Sequence, residues 1–263
     1  MTDPLTGRGF LLVGAANGIG FETAALLVSK GAKVAVIDRD AEALARAGRV
    51  LGEGLLAAIT ADLLDDGGID AAVDQAATRL GRLDGLVNCA AVDLEKPAEA
   101  VTDGEWDRLY AINRRAPMRI CRSTFPFLKA AAKAAAGREE LGGASVVNIA
   151  SAAGLSPLRN RAAYCSSKAG LIMMSKALAM EWAPSGIRVN AVCPGAVDTA
   201  LFRTSYEDGP EPEAMLQRIR ERYALQRVAQ PRELAEAIAF LCSPASSFVT
   251  GVAFAVDGGR SFH

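Results

Sequence analysis

From residue 9 to about residue 197 the chain repeats one unit: a short β-branched run, a turn and an Ala/Leu-rich amphipathic stretch. Runs that are apolar on both sides, each followed by a crossover helix, bury both faces only in a parallel sheet covered above and below. The expected strands are 10–13, 33–37, 55–59, 85–88, 145–149 and 188–192, with 252–256 as a seventh. Expected helices include 21–30, 106–116 and 169–182. No Pro- or Gly-rich linker divides the 263 residues, and no repeat beyond the βα unit is visible. The chain therefore reads as one domain, 1–263.

Two segments break the rhythm. Residues 129–143 read as a helix end and a surface turn, because Ala and Lys favour helix and Gly137, Gly142 and Gly143 end it. Residues 196–213 contain Asp208-Gly209-Pro210-Glu211-Pro212, too turn-rich for a regular element, yet also carry Leu201, Phe202 and Tyr206. A substrate flap with an apolar underside is expected there.

Gly14-Ala15-Ala16-Asn17-Gly18-Ile19-Gly20 follows an apolar strand and precedes a helix, the context of a dinucleotide-binding turn. Glycines let the backbone approach a pyrophosphate, and the helix N-terminus supplies oriented N–H groups. The fold class that follows is α/β: a single-domain Rossmann fold, with a doubly wound seven-stranded parallel sheet flanked by helices. Asp38, eighteen residues beyond Gly20, ends the second strand, where a carboxylate accepts hydrogen bonds from both hydroxyls of an adenosine ribose. The same charge repels a 2′-phosphate, so NAD is expected over NADP; Arg39 beside it is the residue that would favour NADP. Asp62 with Leu63, after the third strand, and Asn88, after the fourth, belong to the same sheet edge and are expected to face the adenine and adjacent ribose. Asn17 and Ile19 complete the set from within the turn.

Tyr164 and Lys168 are four apart, a spacing that puts both on one helix face. A phenol loses its proton near pH 10, and an ammonium about 4 Å away at an effective dielectric of ~20 favours the phenolate by up to roughly 4 kcal/mol. Such a phenol serves as acid and base near neutrality. The remaining composition narrows the chemistry. With 51% hydrophobic and 22% charged residues the chain buries a large core, and a net charge of −1 gives no basic surface for nucleic acid or an anionic membrane. Asp3 stands where a secretory signal would be basic, which points to a cytoplasmic protein. The five cysteines are scattered and read as reduced; Cys165, next to Tyr164, is read as a core filler. A lone histidine, His263, leaves no His-based triad and no conventional zinc site, so no metal is expected.

Taken together, the residues resemble the short-chain dehydrogenase/reductase family over essentially the whole chain. The matching features are the Gly14/Gly18/Gly20 turn, Asp62, Asn88-Cys89-Ala90-Ala91, Asn113, Ser151, Tyr164-x-x-x-Lys168, Pro194-Gly195 with Thr199, and Asp257-Gly258-Gly259. Val13 departs from the family's usual threonine and Asn-Cys-Ala-Ala from its Asn-Asn-Ala-Gly, and neither touches the proton-transfer residues. The resemblance implies that Ser151 orients the substrate oxygen, Tyr164 moves the alcohol proton and Lys168 holds the nicotinamide ribose while lowering the phenol's proton affinity. It implies that Asn113 interrupts its helix and holds a water leading from Lys168 to solvent. Val197 and Thr199 would hold the nicotinamide carboxamide. Relatives are usually homotetramers, which implies the same assembly here.

Ser151 and Tyr164 are thus the expected substrate contacts, and Leu155, Pro157, Leu201, Phe202 and Tyr206 give the pocket an apolar bias. A secondary alcohol or ketone on a hydrophobic or cyclic frame is the expected substrate, with NAD. Arg159, Arg161 and Arg203 could meet an acidic substrate but read first as surface residues. Two other functions compete. One is a 3-oxoacyl-[acyl-carrier-protein] reductase using NADPH, opposed by Asp38 and by the lack of a basic docking patch. The other is a catalytically inactive nucleotide-binding scaffold, opposed by the intact Ser151, Tyr164, Lys168 and Asn113.

Overall fold

The structure, a computed structural model, describes residues 3–137, 142–207 and 210–261. Seven strands form one parallel sheet: β1 (Gly9–Val13), β2 (Lys33–Asp38), β3 (Leu55–Thr60), β4 (Gly85–Asn88), β5 (Ala144–Ile149), β6 (Ile187–Pro194) and β7 (Ala253–Val256). Their order is β3-β2-β1-β4-β5-β6-β7, so the chain reverses direction across the sheet between β1 and β4. The crossover helices are α1 (Gly18–Ser29), α2 (Ala41–Leu51), α3 (Asp66–Leu80), α4 (Asp103–Tyr110), α5 (Ala116–Ala136) and α6 (Ala162–Trp182). Short α7 (Ala200–Arg203), α8 (Pro212–Arg220) and α9 (Pro231–Cys242) follow β6.

The period-two alternation of a strand divides the core into two layers. In β1, Phe10 and Leu12 join the layer beneath α1, α2 and α9, while Leu11 and Val13 join the layer beneath α3, α5 and α6. Both faces of β1 are therefore sealed, which is why its five residues read as one apolar run.

Local signals fix the helix ends. Asp40 and Asp65 cap α2 and α3 by accepting from Ala43 N and Gly68 N, and Thr102 with Glu105 forms a reciprocal capping box on α4. The expected helix over 106–116 is interrupted: a π-helical turn, Ala111–Arg115, joins α4 to α5. Asn113 sits at its centre, and its amide is spent on the chain outside the helix. Wide turns of this kind recur where a helix carries a functional residue. The expected flap over 196–213 is more regular than its composition suggests, since α7 and the start of α8 lie inside it. Thr199 organises α7 by accepting from Phe202 N. Asp208 and Gly209 lie outside the described residues, as do residues 138–141 of the expected helix-to-turn segment and His263. No helix among the described residues is long and apolar enough to cross a membrane.

Candidate active site

The carboxyl ends of β1 to β6 converge on one edge of the sheet, and the reversal between β1 and β4 opens a crevice there, the place where open α/β sheets take ligands. A cleft of about 580 Å³ occupies it. Gly14, Asn17, Gly18, Ile19, Gly20, Asp38, Asp62, Leu63 and Thr199 all line this cleft, so side chains scattered over 186 positions meet at one surface.

Sterics require the glycine turn. Gly14 has φ +71°, and a Cβ there would lie 2.4 Å from Ala90 Cα, a backbone atom that cannot yield. Gly18 has φ +57°, and its Cβ would press on Thr199 Cγ2 at 3.3 Å, so the turn and the flap meet across the crevice. Asn17 starts α1 with no side-chain cap, leaving the first N–H groups of the helix available to an anion. Asp38 Oδ2 accepts from Ala16 N at 3.0 Å and Oδ1 from Asp40 N at 3.2 Å, which locks the carboxylate at the rim between β2 and the turn. Asp62 is steadied in the same way, its Oδ1 accepting from Leu64 N. A cradle of uncapped N–H groups, closed to any side chain larger than glycine and flanked by a fixed carboxylate, fits a dinucleotide.

Two expected cofactor contacts lie elsewhere. The Asn88 side chain is buried beneath the cleft and does not face it. Its Nδ2 donates to Asn148 Oδ1 at 2.8 Å and reaches Cys121 Sγ at 3.6 Å. Asn148 Nδ2 in turn donates to Ser175 Oγ, giving a polar chain from β4 through β5 to α6 inside an apolar layer. Asn88 thus secures the sheet, and the segment from Cys89 to Val92 forms the cleft wall instead. Val197 is buried and pairs its backbone with Ala229.

The residues expected to transfer the proton lie on α6 and just beyond the end of β5. Ser151 adopts an extended backbone, its Oγ accepting from Ala153 N. Lys168 is 1% exposed, and its Nζ donates to Ile149 O at 2.9 Å. The ammonium lies 5.8 Å from the centre of the Tyr164 ring, turned toward the sheet. The electrostatics therefore differ from those expected from spacing. Burial dominates both groups, pushing the Tyr164 phenol above its ordinary value and the Lys168 ammonium down to about 8. Ser151 and the Arg161 charge oppose that rise in the phenol without overcoming it.

Asn113 interrupts its helix as expected, but its amide engages protein on every side. Oδ1 accepts from Val92 N at 2.9 Å, and Nδ2 donates to Val92 O at 2.8 Å and to Ser167 Oγ at 3.2 Å. It clamps the segment after β4 to α6 one residue from Lys168.

Arg203 lies at the surface as expected, whereas Arg161 does not. Arg161 pairs with Asp93 and Glu95 and is largely covered, while Arg203 makes a two-pronged pair with Asp198. Neither is the free cation an acidic substrate would need, whereas Arg159 is exposed. Tyr223 was also missed; its hydroxyl accepts from Ala196 N and holds the loop after β6. Its only sequence signal is an aromatic between the flap and α9.

The comparisons with known proteins agree with this geometry. A family model described as enoyl-(acyl carrier protein) reductase matches residues 14–261. D-threitol dehydrogenase of Mycolicibacterium smegmatis is 36% identical over 259 residues, 97% of this chain and 93% of that one. Cis-4-hydroxycyclohexanecarboxylate dehydrogenase of Sinomonas cyclohexanicum is 35% identical over 262 residues, covering 98% of each chain. Among solved structures, the 3-ketoacyl-(acyl-carrier-protein) reductase of Brucella melitensis complexed with NADH superposes with a TM-score of 0.87 at 34% identity, over 98% of this chain and all of that one. The chain belongs to the short-chain dehydrogenase/reductase family. It is accordingly an oxidoreductase with a nicotinamide cofactor.

Proposed function

We propose that this protein is an NAD-dependent dehydrogenase that interconverts a secondary alcohol and a ketone on a hydrophobic or cyclic small molecule, with Tyr164 as acid and base. The reading is carried by Lys168, buried one turn along α6 from Tyr164 with its Nζ 5.8 Å from the centre of that ring, in a chain whose glycine turn and Asp38 line a cleft. Gly14, Asn17, Gly18, Ile19 and Gly20 would cradle the pyrophosphate, and Asp38 would take the adenosine ribose. Asp62 and Leu63 would flank the adenine, and Thr199 would face the carboxamide. Bound there, the nicotinamide supplies or accepts the hydride.

The protein's own residues do the rest. Ser151 donates to the substrate oxygen and stabilises the charge that develops on it. Tyr164 takes the alcohol proton at its phenol oxygen in oxidation and returns it in reduction. Lys168 holds the ribose hydroxyls, and Asn113 fixes the wall beside it. Leu155 and Leu201, both exposed, supply apolar surface toward an incoming substrate. The dehydrogenase relatives support an alcohol substrate, and Asp38 supports NAD. The 3-oxoacyl reductase reading has the Brucella neighbour in its favour, but that neighbour was crystallised with NADH, not NADPH. Exposed Met173, Met180 and Phe248 are consistent with a homotetramer, which light scattering tests.

The decisive experiment screens cyclohexanol, 4-hydroxycyclohexanecarboxylate, threitol and 2-butanol with NAD and with NADP, using the wild type and Tyr164→Phe. Turnover with NAD that disappears in Tyr164→Phe, while NAD binding persists, is the expected result. Retained turnover removes the acid–base assignment, and an NADP preference removes the cofactor assignment.

A further inference from the structure

A dinucleotide brings a doubly negative pyrophosphate into the cleft, yet the walls of the cleft are acidic. Among the described residues, Glu22, Asp38, Asp62 and Asp198 line it against two guanidiniums, Arg39 and Arg203. Arg39 follows Asp38 and also borders the hollow that Thr60, Asp62 and Asp65 enclose, so it belongs to the Asp38 end. Arg203 is the cation of the opposite wall, built by the loop after β6 and by α7. That wall stands against the glycine turn: a Cβ on Gly18 would lie 3.3 Å from Thr199 Cγ2, and Arg203 N donates to Thr199 O at 3.0 Å.

Hydrogen bonds fix where this wall stands. Asp198 N donates to Ala229 O and Ala229 N to Ala196 O, both at 2.9 Å, while Ala196 N donates to the Tyr223 hydroxyl at 2.8 Å. The loop is thus tied to the segment ahead of α9 just before the flap begins. Arg203 Nε and Nη2 donate to Asp198 Oδ1 and Oδ2 at 2.7 and 3.1 Å, and Nε lies 3.9 Å from Glu207 Oε1. Nη1 has no hydrogen bond or ion pair to a described residue. A guanidinium carries five N–H groups, so one edge can serve a carboxylate while the other remains for an anion. The pair is open to water, with side chains 50% exposed for Arg203 and 30% for Asp198, and a pair so exposed does little for folding. Its larger effect is on the charge of the wall, because Asp198 without Arg203 would set a bare carboxylate across from the glycine turn.

Resting on the reading of this cleft as the NAD site, we propose that Arg203 is a further cofactor-binding residue, whose guanidinium, oriented by Asp198, takes the pyrophosphate from the flap side. Asp198 occupies two of its donors, the remaining ones serve phosphate oxygens, and the positive charge offsets the carboxylate. The first N–H groups of α1 hold the pyrophosphate from one wall and Arg203 from the other. Because Arg203 belongs to the flap, the same contact ties the flap to the bound cofactor.

The test is equilibrium binding to the whole protein, of NADH followed by its fluorescence and of ADP-ribose followed by calorimetry. ADP-ribose keeps the pyrophosphate and lacks the nicotinamide, so it reads the proposed contact apart from the proton-transfer residues. Arg203→Gln should weaken both ligands about tenfold, the scale of one charge-assisted hydrogen bond at a half-exposed site. Arg203→Lys keeps the charge and should stay within about threefold of wild type. Asp198→Asn removes the carboxylate and keeps the cation, so its dissociation constants should be unchanged or lower. A loss in Asp198→Asn as large as that in Arg203→Gln overturns the proposal, because the pair would then act only as a clasp within the flap. Unaltered ADP-ribose binding in Arg203→Gln overturns it too, as does an Arg203→Lys loss equal to that of Arg203→Gln. Gly14→Ala separates the two levels. If it leaves NADH binding intact, the premise fails, whereas weakened binding in Gly14→Ala with unmoved binding in Arg203→Gln removes only this inference.

Discussion

Lys168→Met should make the protein more stable while abolishing turnover. The ammonium is held in the interior, 1% exposed, with Ile149 O as its hydrogen-bond acceptor. Burial moves its pKa from an ordinary 10.5 to about 8. That difference, at ~1.4 kcal/mol per tenfold change, costs folding roughly 3 kcal/mol at neutral pH. The folded protein binds fewer protons than the unfolded chain between those two values. The cost is therefore complete below about pH 8, declines as pH rises and is gone above 10.5. Methionine fills a similar volume without charge but withdraws a donor from Ile149 O, a loss of about 1–2 kcal/mol. The net gain at pH 7 is about 1–2 kcal/mol, or a rise in Tm of roughly 3–6 °C for a chain of this size. Thermal unfolding followed by circular dichroism at pH 7 and pH 10 reads it directly. The variant should unfold at the higher temperature at pH 7 and at a temperature equal to or slightly below that of the wild type at pH 10. A lower Tm at pH 7, or a difference indifferent to pH, would refute the reasoning, because the buried charge would then not be the dominant influence on stability at this site.

Gly14→Ala places a Cβ 2.4 Å from Ala90 Cα in a backbone of φ +71°, so both the turn and the segment after β4 must move. Calorimetric titration should show NAD binding weakened by at least about tenfold, with folding destabilised by roughly 2 kcal/mol or more. Asn113→Ala removes the two bonds to Val92 and the one to Ser167, and should lower stability in urea by about 2–3 kcal/mol. Its loss of kcat should exceed its change in KM for NAD, since Asn113 also holds Ser167, whose hydroxyl donates to Tyr164 O on α6.

Much of the architecture was legible because it depends on local pattern. Strands sealed on both faces must be apolar throughout, as Gly-Phe-Leu-Leu-Val of β1 is, and a glycine turn between strand and helix has few other uses. The site residues Ser151, Tyr164 and Lys168 were legible for a related reason: each occupies a fixed place relative to an element end. Asn88 misled because a strand-end asparagine looks the same whether it faces a ligand or a neighbouring strand. Only the pairing of Asn88 with Asn148 in β5 shows which way it is turned. Arg161 misled because an arginine among turn residues is ordinarily solvated, and its carboxylates lie 66 and 68 residues upstream.

Sequence alone thus determined the sheet, the glycine cradle and the carboxylate at the end of β2, and it singled out Ser151, Tyr164 and Lys168 as the residues proposed to move the proton. All of these follow from periodicity and short-range spacing. Tertiary structure decided how the reactive groups are charged. Spacing put an ammonium beside a phenol, but desolvation and hydrogen bonding depend on what the rest of the chain packs around them. That packing turned Lys168 toward Ile149 O, raised the phenol and set Arg161 against Asp93 and Glu95.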